Sequence, residues 1–270
     1  LVHPTFPLVK NLARVSSKYV CLFISENQSY VRFWEVEFKR NNLIYIDKIG
    51  EVFELYANLL VSENKKYNLT SITSTQDIVD KHFIDSILGF EKLKKKNSKI
   101  ASLVIMDIGT GAGFPGVPLM LYDQICNNGK AVKEIHLLDS NKKKTEFLSL
   151  LADISFKFLG KNLITIHNHR LEKFELVGKS PDFFLSRATG DINKVVDYLA
   201  EFLANNGNIH KTSFLLYYGG LNIQGLEDRS VSFGSKIRFT IKNNIIAQYQ
   251  YSQKNYTRAS ILFSLSPTMS

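Results

Sequence analysis

The sequence predicts an α/β protein: a largely parallel sheet with an antiparallel edge, preceded by a small helical segment. Three observations lead there. Apolar runs of strand length alternate with amphipathic helical stretches through the middle of the chain. From Ser213 onward the chain changes to β-type segments with no helix between them. The first strand breaks into a glycine loop, Leu103 to Leu119 (LVIMDIGTGAGFPGVPL), of the kind that joins a parallel strand to its helix.

That loop organises the rest. Leu103 to Ile108 is an apolar strand, Gly109, Gly111, Gly113 and Gly116 make a tight turn, and Val117-Pro118 opens a helix with Pro118 at its first position. Glycine at these places lets the backbone approach a ligand closely. No Lys-Ser or Lys-Thr pair follows, which excludes a P-loop. The spacing GTGAGFPG also departs from the dinucleotide fingerprint G-x-G-x-x-G. Asp107, at the strand end, suits a cationic or hydroxyl-bearing ligand better than a pyrophosphate, and S-adenosylmethionine carries both an amino group and a sulfonium.

The flanking elements follow in order. Residues 1 to 25 hold Lys10, Arg14 and Lys18 and no acid, with Leu8, Leu12, Val15, Tyr19 and Leu22 at helical spacing, which fits either a targeting segment or a surface helix. Residues 31 to 46 are too mixed to assign. Ile49, Val52, Phe53, Tyr56, Leu59 and Leu60 predict a helix ending near Lys65-Lys66-Tyr67, followed by the loop Asn68-Leu69-Thr70-Ser71. Ser74 and Asp77 read as a capping box for a second helix striped by Ile78, Val79, His82, Phe83, Ile87 and Phe90. His82, taken alone, reads as a core histidine.

The lysine run at residues 94 to 99 is the expected boundary, so that residues 1–46 form an extension, 47–99 a helical subdomain and 100–270 the main domain. Beyond the glycine loop, Ile135 to Leu138 is a second strand closing on Asp139, where an acid holds ribose hydroxyls in nucleoside-binding sheets. Ser140 is placed to cap the next helix, which carries Lys142, Lys143 and Lys144. Further strands are expected at Leu163 to Ile166, at residues 182 to 187 and at Ser213 to Tyr217, with a helix from Ile192 to Phe202. The chain then alternates as β at Ile237 to Ile241, Ile245 to Tyr251 and Ala259 to Leu265.

Charge bounds the partners. The chain has 34 Lys+Arg against 25 Asp+Glu, a net +9, which fits a polyanionic partner and equally a merely soluble basic surface. Two cysteines among 270 residues make no disulfide framework and no metal site, so no metal and a reducing compartment are expected. No apolar run approaches the roughly 18 residues of a membrane span.

Taken together these residues resemble the GidB/RsmG family of ribosomal RNA small-subunit methyltransferases. The resemblance runs from about Val52 to Gly220 and rests on ordered blocks: Tyr67-Asn68-Leu69-Thr70-Ser71, His82-Phe83-Ile84-Asp85-Ser86, the glycine loop from Asp107 to Gly116, Leu137-Leu138-Asp139-Ser140, Arg170-Leu171-Glu172 and Ser186-Arg187-Ala188. A weaker echo stands at Arg258 to Phe263.

The resemblance implies a Rossmann-like S-adenosylmethionine-dependent methyltransferase fold and methylation of guanine N7 in 16S-type RNA near the decoding centre. A cytoplasmic monomer is expected, with an organelle as the alternative location because the acid-free, basic first twenty-five residues also fit import. The resemblance places cofactor contacts at Gly109, Phe114, Leu171, Glu172 and Arg187. The residue reading adds Asp107, Gly111 and Asp139. Lys65, Lys66, Lys81, Lys142, Lys143 and Lys144 are candidate RNA contacts. No dedicated catalytic acid or base is expected, because N7 already offers a lone pair.

Two departures stand out. Tyr218 occupies the place of a family lysine, and Glu63 stands near that of a tryptophan. The first leaves open a non-catalytic RNA-binding or assembly factor; a small-molecule methyltransferase is a further alternative.

Overall fold

In the computed structural model the described residues are 28–97, 100–176, 181, 183–187, 191–206, 211–219, 228–233, 237–251 and 256–269. The expected helix within residues 1 to 25 lies outside them. The described residues open on helix α1 (Gln28–Arg40), in the stretch whose composition is too mixed to assign, followed by α2 (Asp47–Tyr67). The α1 helix is anchored by Trp34, fully buried among Phe38, Phe53 and Phe83, with its indole N–H donating to Glu54 Oε2 at 2.9 Å. Helix α2 ends where Asn68 takes a left-handed conformation, φ 52°.

Ser74 caps α3 (Thr75–Ile78), its hydroxyl accepting from Asp77 N–H. That helix passes through a π-helical segment, Val79–Ile84, into α4 (Asp85–Lys96). Such one-turn widenings recur at functional sites. Here it turns His82 toward the Asn68–Ser71 loop.

The sheet has eight strands in the order β3-β2-β1-β4-β5-β8-β7-β6. Strands β1 (Leu103–Ile108), β2 (Val132–Leu138), β3 (Ile164–His167), β4 (Phe183–Arg187) and β5 (Ser213–Gly219) pair in parallel. Between them run α5 (Gly116–Cys126), α6 (Lys142–Leu159) and α7 (Ile192–Asn205). Strands β6 (Arg229–Phe233), β7 (Ile237–Tyr251) and β8 (Tyr256–Met269) complete the antiparallel edge, β8 pairing with β5.

Four local expectations need correction. Helix α5 begins at Gly116, so Pro118 sits inside its first turn. The cap of α6 is Asn141, whose side chain accepts from Lys143 N–H. Ser140 is left outside because Asp139 Oδ1 already takes the Asn141 N–H, which closes a tight turn before the helix. The two strands read at 237–241 and 245–251 are one long strand, and β6 went unread.

One core lies on one face of the sheet and joins α1, α2, the α3–α4 helix, α5 and α6 to Ile105, Leu185 and Leu216. The apolar packing is therefore continuous across the lysine run at the end of α4. A second core on the other face joins α7 to Met106, Phe184, Ile261 and Phe263. With both faces covered, the carboxyl ends of β1, β2 and β4 form the open crevice where doubly wound sheets bind ligands.

Candidate active site

The glycine loop between β1 and α5 is held from below. Asp107 is fully buried, and its Oδ2 accepts from Thr110 Oγ1 at 2.7 Å and from Gly116 N–H at 2.8 Å. A Cβ on Gly116 would stand 2.7 Å from that oxygen and 2.6 Å from Ile135 Cδ1, so only glycine fits. Gly109, Gly111 and Gly113 have φ of 65°, 62° and 92°, backbone that other residues adopt only under strain. Burial raises the Asp107 carboxyl to about 7, against the lowering by its two donors. Asp107 lines neither cavity described below: it braces the loop rather than facing a ligand.

Asp139, at the end of β2, reaches the same loop. Its Oδ2 accepts from Gly111 N–H at 2.9 Å and its Oδ1 from Asn141 N–H at 2.8 Å. Each carboxylate oxygen keeps a second lone-pair site.

Two cavities meet at Gly109. The first, about 670 Å³, is lined by Gly109, Leu138, Asp139, Leu171, Glu172 and Asp191 together with Lys194 and Tyr198. Its carboxylates and half-apolar wall suit a nucleoside: hydroxyl donors toward the acids, a flat base against Leu171. The second, about 380 Å³, is lined by Gly109, Gly111 and Phe114 of the loop, by Thr70, Ser71, Lys81 and His82 of the helical part, and by Arg187 and Arg258. Lys144 borders both, 4.0 Å from Asp139 Oδ2.

An aromatic stack walls the second cavity. Tyr56, Phe114 and His82 lie parallel in sequence, with centroids 5.1 Å and 4.4 Å apart, and the Arg187 guanidinium lies 5.3 Å from the Phe114 centroid. Arg187 donates to Lys81 O at 2.8 Å and faces Asp85 at 3.6 Å, which Arg258 approaches at 3.8 Å. Asp85 is fully buried. Desolvation pushes its carboxyl up even with two arginines beside it.

Of the expected site residues, the structure places Asp139, Leu171 and Glu172 in the first cavity, Gly111, Phe114 and Arg187 in the second and Gly109 in both; Lys81 lines the second and Lys144 borders both. Lys66 instead pairs with Glu63 at 2.7 Å, and Lys65, Lys142 and Lys143 are exposed and line neither cavity. Glu63, near the place of the family tryptophan, is buried in that pair. Sequence reasoning missed Thr70, Asp191 and Arg258 as cavity residues and read His82 as core. The signal for Thr70 and His82 was that each stood in a family block; none pointed to Asp191.

Tyr218 is 1% exposed and its hydroxyl donates to Ser86 O at 2.8 Å. It faces the interior between β5 and α4, not the crevice, and lends no support to a non-catalytic reading. Among the described residues no group of three His, Cys, Asp or Glu side chains could hold a metal, and no helix is long and apolar enough to cross a membrane.

A parallel sheet with an antiparallel edge, a glycine loop after β1 and an acid closing β2 on that loop define the class of S-adenosylmethionine-dependent methyltransferases. The profile of the GidB family, rRNA small subunit methyltransferase G, matches residues 49–219, and the chain belongs to that family. It is 32% identical over 195 residues to ribosomal RNA small subunit methyltransferase G of Mycoplasma capricolum, covering 72% of this chain and 75% of that one. The protein of the same name from Mesoplasma florum is 31% identical over 176 residues, 65% of this chain and 68% of that one. The one from Clostridium botulinum is 34% identical over 160 residues, 58% and 61%. Among solved structures, a SAM dependent methyltransferase from Aquifex aeolicus aligns at 12% identity with a TM-score of 0.43, over 71% of this chain and 94% of that one.

Proposed function

We propose that this chain methylates N7 of a guanine in small-subunit ribosomal RNA, working as a monomer in the cytoplasm with S-adenosylmethionine as donor. The observation that carries the reading is the pair of cavities joined at Gly109, one nucleoside-sized and holding Asp139, Glu172 and Leu171, the other ringed by Arg187, Arg258, Lys81 and Lys144. The donor group fits the first. Asp139 and Glu172 offer acceptors to ribose hydroxyls, Leu171 offers an apolar face, and the positive-φ glycines leave the loop backbone open to close approach. When bound, S-adenosylmethionine supplies an electrophilic methyl group on a sulfonium.

The chain's own task is positioning. Guanine N7 carries its lone pair at neutral pH, so no residue has to remove a proton first. Phe114, packed parallel to Tyr56 and to His82, stiffens the wall of the cavity that would receive the base. Arg187 is fixed over that wall by Lys81 O and Asp85. Lys81, Lys144 and Arg258 hold phosphates around an unpaired base, since N7 within an A-form helix faces a groove too deep and narrow to enter.

Calorimetry tests the donor. S-adenosylmethionine should bind and NAD should not, and Asp139→Ala should weaken the former about tenfold or more, the worth of a charge-assisted hydrogen bond. Tight NAD binding with no response to the sulfonium compound would overturn the reading. Tritium from labelled donor should appear in small-subunit RNA and not in protein or free nucleosides.

A further inference from the structure

We propose that the Thr70 hydroxyl is the hydrogen-bond donor that recognises O6 of the target guanine, its donor role imposed by Arg187 through His82. The inference rests on the guanine-N7 reading above and adds how that base is told from adenine.

One chain of hydrogen bonds leads from Arg187 through His82 to Thr70. A guanidinium can only donate, so the contact of 3.1 Å between Arg187 Nη2 and His82 Nδ1 makes Nδ1 an acceptor. The ring is neutral, since burial and the neighbouring cations Arg187, Lys81 and Arg258 all hold its pKa well below the usual value. Its single proton therefore sits on Nε2, which donates to Thr70 Oγ1 at 2.9 Å. The same oxygen accepts from Ile72 N–H at 3.1 Å. Both acceptor positions of the hydroxyl are then taken, and what Thr70 has left to offer is its own proton.

Thr70 is also held in place. Asn64 grips its backbone on both sides, Nδ2 donating to Thr70 O at 2.9 Å and Oδ1 accepting from Thr70 N–H at 2.8 Å. The residue lines the basic cavity that opens from Gly109, opposite the nucleoside-type cavity. A base presenting N7 there presents its 6-position on the same edge. Guanine offers an oxygen acceptor at that position and adenine an amino donor, so a fixed donor accepts the first and opposes the second. Arg187 and His82 act as positioning residues.

The test pairs a protein group with a substrate atom. Unmodified small-subunit RNA is prepared with either guanine or 2-aminopurine, which keeps N7 and lacks O6, at the guanine mapped by cleavage. Wild type, Thr70→Val and Thr70→Ser are compared by kcat/KM on both RNAs and by S-adenosylmethionine calorimetry. Wild type and Thr70→Ser should lose roughly ten- to a hundredfold on 2-aminopurine. Thr70→Val should be slower on guanine by a similar factor, show no further loss on 2-aminopurine, and bind the donor unchanged.

A full 2-aminopurine penalty in Thr70→Val overturns the proposal, as does weakened donor binding in that variant with folding intact, which would assign the hydroxyl to the donor's carboxylate. Should Thr70→Val fail to fold, wild type and Thr70→Ser decide: the penalty in both supports the proposal, and equal rates on the two RNAs overturn it. Wild type that methylates no guanine N7 overturns the parent reading as well, a result distinct from either.

Discussion

Tyr218 and Gly89 are one device. A Cβ on Gly89 would stand 2.3 Å from Tyr218 Cε1, so the helix surrenders a side chain to admit the ring. Gly89→Ala should therefore cost about 1 to 3 kcal/mol by overpacking, read from chemical denaturation. Tyr218→Lys would put an ammonium among fully buried neighbours. It should destabilise by about 2 to 4 kcal/mol and restore no activity, whereas a gain of methyl transfer would contradict the packing role. Asp107 yields a pH prediction. Its carboxyl is raised to about 7, so the folded chain keeps a proton that the unfolded chain releases near pH 4. The stability this contributes is complete below pH 4 and is lost as pH rises through 7. Asp107→Asn should therefore gain on wild type across that window, by up to about 4 kcal/mol, when unfolding is followed against pH.

At the scale of elements, the glycine loop was legible and its support was not. Four glycines after an apolar strand announce a turn and a close approach, but nothing in one sequence says whether the acid before them points outward or under the loop. Asp107 goes under because Gly116 N–H and Thr110 Oγ1 need an acceptor in a place water does not reach. Gly116→Ala should displace that carboxylate and cost donor affinity and stability together, at least about 2 kcal/mol of the latter by denaturation. Unchanged binding would show the loop tolerant. The polar Lys242-Asn243-Asn244 broke the apolar pattern of β7, yet the strand runs through, since its ladder to β8 is made by backbone groups indifferent to side chains. The stretch of α1 failed for the opposite reason: Trp34 and Phe38 bury on one stripe while Glu37 is buried beside them.

For the whole molecule, the arrangement of charge matters more than its sum. The first cavity mixes Asp139, Glu172 and Asp191 with Lys144, Arg170 and Lys194, whereas the described lining of the second has Lys81, Lys144, Arg187 and Arg258 and no acid. A net +9 could not foretell that difference. The fold brings residues from the helical part, the first strand's loop and the last strand to one crevice, because the helices share a core with the sheet. RNA affinity should accordingly fall steeply with salt, log K declining against log salt with a slope that drops by about one when Lys81 is replaced by Ala. The atom that receives the methyl group decides the reaction. Small-subunit RNA lacking the modification is incubated with the protein and donor, then treated with borohydride and aniline, which cleave at N7-methylguanine. One new cleavage at an unpaired guanine is the predicted result; methyl incorporation with no cleavage, or label on another RNA atom, would contradict the account.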